Sequence, residues 1–239
     1  MILETQNLAK AFGNVKAVTS VTMDVQEGEI LGMLGPNGSG KTTVFNLLTG
    51  VTTPDAGRVR FNGRDITRAT PFQRSRDGIG RTYQIPRPFG NMTVLENLMV
   101  AAAYGGGMRE KACRPKMDDI LETTGLASRR YALASKLPLL DRKRLEVARA
   151  MATNPSLLLL DEVAGGLTES EAGDLLAIVK QLQRQGVTVI WIEHILMMME
   201  DVDRVLVLDQ GCNLMCGSPS DVMCSPEVLE CYLGKEDAC

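Results

Sequence analysis

Residues 35–42 read Gly-Pro-Asn-Gly-Ser-Gly-Lys-Thr, with Thr43 following, and they stand between two segments of opposite character. Ile30–Leu34 is a short apolar run of strand length, whereas Thr42–Leu48 is helical in pattern and ends at Gly50. Strand, glycine-rich loop and helix in that order match the GxxxxGK[ST] pattern in its proper context. The composition follows from the chemistry. Glycines let a backbone wrap closely around phosphate oxygens, and a helix N-terminus offers unpaired N–H groups and a favourable dipole. Lys41 is placed to neutralise β/γ-phosphate charge, and the Thr42 hydroxyl to ligate Mg²⁺. Gly35, Pro36, Asn37, Gly38, Ser39, Gly40, Lys41, Thr42 and Thr43 therefore form a candidate binding loop for a nucleoside triphosphate.

Strand-like and helical segments surround this loop. Ile2–Leu8, Val18–Val25 and Val59–Asn62 are β-like runs bounded by turn signals such as Glu27-Gly28 and Asn62-Gly63. From Val94 to Ala134 the pattern is helical, interrupted at 105–107, with a helix expected over Lys116–Thr124. Arg142–Thr153 reads as another helix and Leu157–Leu160 as a fully apolar strand. Glu169–Gln185 reads as an amphipathic helix closed by Gly186, and Val187–Ile192 as a second buried strand. Arg204–Leu208 and Asn213–Cys216 flank Gln210-Gly211 as a hairpin. This alternation predicts an α/β fold with a parallel sheet covered on both faces. The strand-rich N-terminus and helical middle suggest two lobes, the helical one inserted.

Two acids, Asp161 and Glu162, follow Leu157–Leu160, at the end of a strand where the phosphates of such a fold sit. Asp161 is expected to hold Mg²⁺ through water, because that ion keeps part of its hydration shell. Glu162 is then placed to activate the attacking water as a general base. His194 follows the second buried strand, and its neutral-to-cationic range suits a hydrogen bond to a γ-phosphate. Gln84, in Arg81-Thr-Tyr-Gln-Ile-Pro86, is a polar residue before a Pro-rich turn and carries no meaning alone.

Composition removes other classes. The 239 residues carry 29 acidic against 26 basic side chains, a net charge of −3, which argues against nucleic-acid binding through bulk charge. The Arg-rich stretch from Arg64 to Arg87 is read as a solvated loop face, with a local basic surface as the alternative. No apolar run approaches the ~20 residues needed to cross a bilayer. Met1-Ile-Leu-Glu-Thr-Gln has neither a basic nor a long apolar region of a secretory signal, so a cytoplasmic protein with peripheral membrane contact is expected. Cysteines stand at 113, 212, 216, 224, 231 and 239, with no CxxC pair, and are read as free thiols rather than a metal site.

Taken together, these motifs resemble the ATP-binding subunit of ABC transporters. The order is Walker A at 35–42, a Q-loop at Gln84, a signature region near 137–146, Walker B at 157–162 and a switch histidine at His194. The resemblance implies a P-loop NTPase core with an antiparallel β lobe, 1–84 and 154–239, and an inserted helical lobe, 85–153, carrying the signature. It implies adenine stacking on Phe12 with Val18 beside it, and Mg²⁺ held by Thr42, Gln84 and Asp161. Lys41, Gln84, Glu162 and His194 are the implied catalytic set. Arg81–Asn97 and Pro226–Gly234 resemble the corresponding segments of branched-chain amino-acid importers. The implied partners are transmembrane permease subunits, a second ATPase subunit and, indirectly, a cargo-binding protein. The implied location is the cytoplasmic face of the membrane.

The pattern breaks in one region. Where the family has LSGGQ the chain reads Leu137-Pro-Leu-Leu-Asp141, and where its D-loop has aspartate the chain has Thr168. Pro138 fits the first turn of a helix, but leucines cannot give the close backbone approach of glycine, and Asp141 is expected to repel a γ-phosphate. The residues this chain offers to its own ATP are intact, and those it would offer across a dimer are altered. An asymmetric heterodimer is the expectation. Two alternatives are a soluble ABC ATPase scaffold, as in iron–sulfur assembly, and a nucleotide-gated interaction protein without turnover.

Overall fold

The computed structural model describes residues 1–108, 110–194 and 196–233. In chain order the elements are β1 Leu3–Phe12, β2 Val15–Val25, β3 Ile30–Leu34, α1 Lys41–Thr49, β4 Ala56–Phe61, β5 Arg64–Asp65, α2 Pro71–Asp77 and β6 Ile79–Arg81. There follow α3 Val94–Val100, a π-turn at Ala101–Gly105, α4 Glu110–Thr123, α5 Leu139–Ala152, β7 Leu157–Asp161, α6 Glu169–Arg184 and β8 Thr188–Ile192. The last elements are α7 Leu196–Met199, β9 Arg204–Asp209, β10 Cys212–Gly217, α8 Pro219–Met223 and α9 Pro226–Leu233. The chain divides into two compact units, Met1–Pro71 with Ile190–Cys239, and Phe72–Val189.

In the first unit the strand order is β5-β4-β1-β2-β10-β9-β3. β1 and β2 form an antiparallel hairpin, Leu3 opposite Val25 and Phe12 opposite Val15, turning at Gly13 with φ 58°. Alternate residues Leu3 and Thr5 on β1 and Val21, Met23 and Val25 on β2 are buried, and Leu8 is buried after a shift of register between Thr5 and Leu8. Both strands extend beyond the predicted Ile2–Leu8 and Val18–Val25. Their outer ends, residues 9–12 and 15–17, are exposed or half-buried, so the two-residue rhythm of burial fades while the ladder continues. β3 has all five residues buried and pairs in parallel with β9, from Leu31–Arg204 to Leu34–Val207. The β9–β10 hairpin forms as expected, with Gln210 and Gly211 both at positive φ.

In the second unit β7, also wholly buried, pairs in parallel with β6 through Ile79–Leu157 and Arg81–Leu159. Helix α6 begins at a capping box: the Thr168 side chain accepts from Glu171 N–H, and the Glu171 carboxylate accepts from Thr168 N–H at 2.9 Å. It buries Ala172, Leu175, Ile178, Val179 and Leu182, the spacing of one helical face. α5 starts at Leu139 rather than Arg142, with Pro138 as its N-cap. The reading of Arg64–Arg87 as a solvated loop face is corrected: the stretch holds β5, α2 and β6, and Arg74 is only 1% exposed. Cys113, Cys212, Cys216, Cys224 and Cys231 are free, and among the described residues no cluster could hold a metal ion. Cys239 and Gly234 lie outside the described residues. Among the described residues no helix is long and apolar enough to cross a membrane.

Candidate functional site

In the first unit the chain leaves β3 through Gly35, Gly38 and Gly40, at φ 148°, 84° and 105°. A Cβ at Gly35 would stand 2.2 Å from the Leu208 carbonyl oxygen, and one at Gly40 2.5 Å from that of Ala17. Only bare backbone fits there. Gly40 is the left-handed N-cap of α1 and has no side chain with which to cap the helix start. Lys41 turns its ammonium onto its own loop, donating to the Gly35 carbonyl at 2.6 Å and the Pro36 carbonyl at 3.0 Å. The Ser39 hydroxyl is buried without a hydrogen-bond partner. An orphaned hydroxyl, a helix start with glycine as its cap and an ammonium resting on carbonyls fit a polyphosphate ligand. Asn37 and Thr42 are exposed, and Pro36 and Thr43 half-buried.

Phe12, at the end of β1, is 52% exposed, with the Lys10 ammonium 5.7 Å from its ring centre. It offers the open aromatic face expected of a stacking platform. Val18 does not: it is buried, with Cγ2 3.5 Å from where a Cβ of Gly40 would lie, and so packs behind the loop. His194 is exposed just beyond β8, next to the buried Glu193, whose carboxylate accepts from the Trp191 indole N–H at 3.3 Å. One residue here escaped the sequence reading. The Tyr232 hydroxyl, on α9, accepts a hydrogen bond from Gly35 N–H at 2.5 Å. Burial pushes the Tyr232 phenol up, so it stays neutral. Burial and Asp209 likewise push up the Cys231 thiol, with Lys41 opposing.

In the second unit three predicted site residues come together, with two partners the sequence did not reveal. Asp161 ends β7 and pairs with Arg81, Nη2 to Oδ2 at 2.9 Å, both side chains less than a tenth exposed. The Asp161 N–H donates to the Thr82 hydroxyl at 3.1 Å, while Thr82 N–H donates to the Leu159 carbonyl at 2.9 Å. The Gln84 amide nitrogen donates to the Glu162 carboxylate. Glu162 itself adopts φ 48°, a left-handed conformation that a non-glycine residue holds only where its surroundings enforce it. Lys143, buried in α5, donates to the Gln84 carbonyl at 3.1 Å and the Glu162 carbonyl at 3.4 Å. No local spacing marked Arg81 or Lys143, because their partners lie far along the chain. The candidate Mg²⁺ donors, Thr42, Gln84 and Asp161, offer oxygen atoms, the hard ligands that ion requires. Gln84 spends its amide nitrogen on Glu162, the half of the amide a cation would not use.

The altered signature also behaves differently from expectation. Asp141 is buried in the first turn of α5, 3.6 Å from both Arg129 and Arg144, and Arg144 also pairs with Asp174 at 3.0 Å. Its charge is engaged inside its own unit, which weakens the expected repulsion of a phosphate. Thr168 serves as the N-cap of α6, a position that aspartate fills equally well.

A phosphate-wrapping loop at a helix start, with buried parallel strands ending in acids, defines a P-loop nucleotide-hydrolysing protein. The chain belongs to the ABC transporter family, whose model matches residues 18–165. It is 36% identical to the high-affinity branched-chain amino acid transport ATP-binding protein BraF of Pseudomonas aeruginosa, over 98% of both chains. It is 38% identical to a probable branched-chain amino acid transport ATP-binding protein LivG of Archaeoglobus fulgidus, over 99% of this chain and 97% of the relative. A nucleotide-free ATP-binding cassette from an ABC transporter superposes with a TM-score of 0.91 at 33% identity, covering 98% of this chain and 99% of that one. The chain is thus an ATP-binding and ATP-hydrolysing subunit of the ABC type.

Proposed function

We propose that this chain is the motor subunit of an importer for branched-chain amino acids or related small polar solutes. The observation that carries the reading is its likeness to branched-chain amino acid transport ATP-binding proteins over nearly the whole of both chains. In this reading 1–84 and 154–239 make the ATP-binding core with its β lobe, and 85–153 the helical lobe. Adenine rests on Phe12. The triphosphate takes the amides of 35–43, and Lys41 exchanges its own carbonyls for phosphate oxygens. Thr42, Gln84 and Asp161 hold Mg²⁺, which when bound neutralises phosphate charge. Glu162 accepts the proton of the attacking water, and His194 donates a hydrogen bond to the γ-phosphate.

The partners are transmembrane permease subunits, a cargo-binding protein acting through them, and a second, non-identical ATPase subunit. No nucleic acid is involved. Exposed Ile85, Phe89 and Met92, in the segment that follows Gln84, support docking on the permease. The altered 137–141 and Thr168 support a non-identical partner. The protein then lies on the cytoplasmic face of the membrane. Reconstitution into vesicles with these partners tests the reading: ATP turnover should rise on permease assembly and again with cargo. A rate indifferent to both would overturn it.

A further inference from the structure

Gly35 joins β3 to the phosphate loop, and the peptide groups on its two sides are each held by a side chain. Its N–H donates to the Tyr232 hydroxyl at 2.5 Å, and its carbonyl accepts from Lys41 at 2.6 Å. The β9 backbone closes the remaining direction, since a Cβ on Gly35 would meet the Leu208 carbonyl oxygen at 2.2 Å. When phosphate draws Lys41 away, the carbonyl contact is given up and the Tyr232 bond remains. Helix α9 is seated beside the loop: Val228 is buried, and the Cys231 thiol responds to both Lys41 and Asp209. Gly35 is itself buried, and a buried N–H deprived of its partner is unfavourable, so the loop must shift to recover one.

We propose that Tyr232 is a positioning residue for the ATPase: its hydroxyl fixes Gly35, so that the loop keeps its phosphate-ready shape as Lys41 changes partners. The proposal rests on residues 35–43 being the nucleotide site. It gives the C-terminal helix a part in nucleotide affinity that none of the motifs at 35–43, 84, 157–162 or 194 carries.

The test compares Tyr232→Phe and Tyr232→Ala in the full-length chain, by ATP affinity and by turnover after assembly with its partners. Tyr232→Phe keeps the ring and removes one bond to a buried N–H, so ATP affinity should weaken about tenfold. The Michaelis constant for ATP should rise in step while turnover at saturating ATP stays close to wild type. Tyr232→Phe binding ATP as tightly as wild type, with only Tyr232→Ala impaired, would assign the effect to ring packing and overturn the proposal. Amide hydrogen exchange on the wild-type protein gives a check that needs no variant. The Gly35 amide should be protected like those of β3, and exchange at an unprotected rate would overturn the proposal. Wild-type protein unable to bind ATP would instead remove the nucleotide site itself, so the two failures are distinguishable.

Discussion

Arg81 and Asp161 form an ion pair shielded from solvent on both sides, and breaking one half strands the other. Arg81→Leu should lower the unfolding free energy by roughly 3–5 kcal/mol, read from the urea midpoint, because an unpaired carboxylate stays buried. Arg81→Leu with Asp161→Leu should recover much of that loss; a single variant as stable as wild type would mean that solvent reaches Asp161. Glu162 poses a different question. Its carboxylate is engaged by the Gln84 amide and its backbone by Lys143, so Glu162→Gln preserves size and hydrogen bonding while removing the base. ATP affinity should be retained and single-turnover phosphate release should fall by about 10²–10⁴. Weak ATP binding by that variant would contradict the role given to Glu162.

At the scale of elements, α3 and α6 open with the same device. In each, a threonine cap and a glutamate three residues on satisfy one another, through Thr93 with Glu96 and Thr168 with Glu171. Thr168→Ala should cost about 1 kcal/mol in thermal or urea unfolding. The pairing also carries a pH signature. Hydrogen bonds from the threonine N–H and hydroxyl hold both glutamates below the usual carboxylate value of 4.5. The folded form thus favours the ionised carboxylates, so this stabilisation is complete above about pH 4.5 and is lost as pH falls through the depressed value. Glu171→Gln should flatten the acid limb of the stability profile. α5 gives the sharper functional test: Pro138→Ser, Leu139→Gly and Leu140→Gly together bring 137–141 to Leu-Ser-Gly-Gly-Asp, which matches the family signature at all but its last residue. In the assembled pair, turnover that does not change would sink the asymmetric heterodimer.

At the scale of the whole molecule, that heterodimer makes a simple kinetic forecast. The purified chain alone should turn over ATP slowly, with a rate no steeper than linear in protein concentration; a steeper rise would mean that it completes its own site. How far the sequence anticipates the structure depends on distance along the chain. The phosphate loop, the strand ending in Asp161 and the helix closed by Gly186 announce themselves through neighbours a few residues away. Arg81, Lys143 and Tyr232 do not, because each is defined by partners 19 to 197 residues distant. The arginines of 64–87 misled for a related reason: burial of a guanidinium depends on a partner or packing surface that composition does not display.

The parallel pairing of β3 with β9 sets a timetable for biosynthesis. The Ile30 N–H is bonded to the Asp203 carboxylate at 2.7 Å, 173 residues later. At about 5–20 residues per second, a ribosome takes roughly 10–35 s to supply that partner. Throughout that interval, in which 72–189 is being made, an apolar strand attached to the phosphate loop has no β9 to lie against. The nascent phosphate loop is therefore a natural client for chaperones, because the strand that β3 lies against is supplied only once Arg204–Asp209 has left the tunnel.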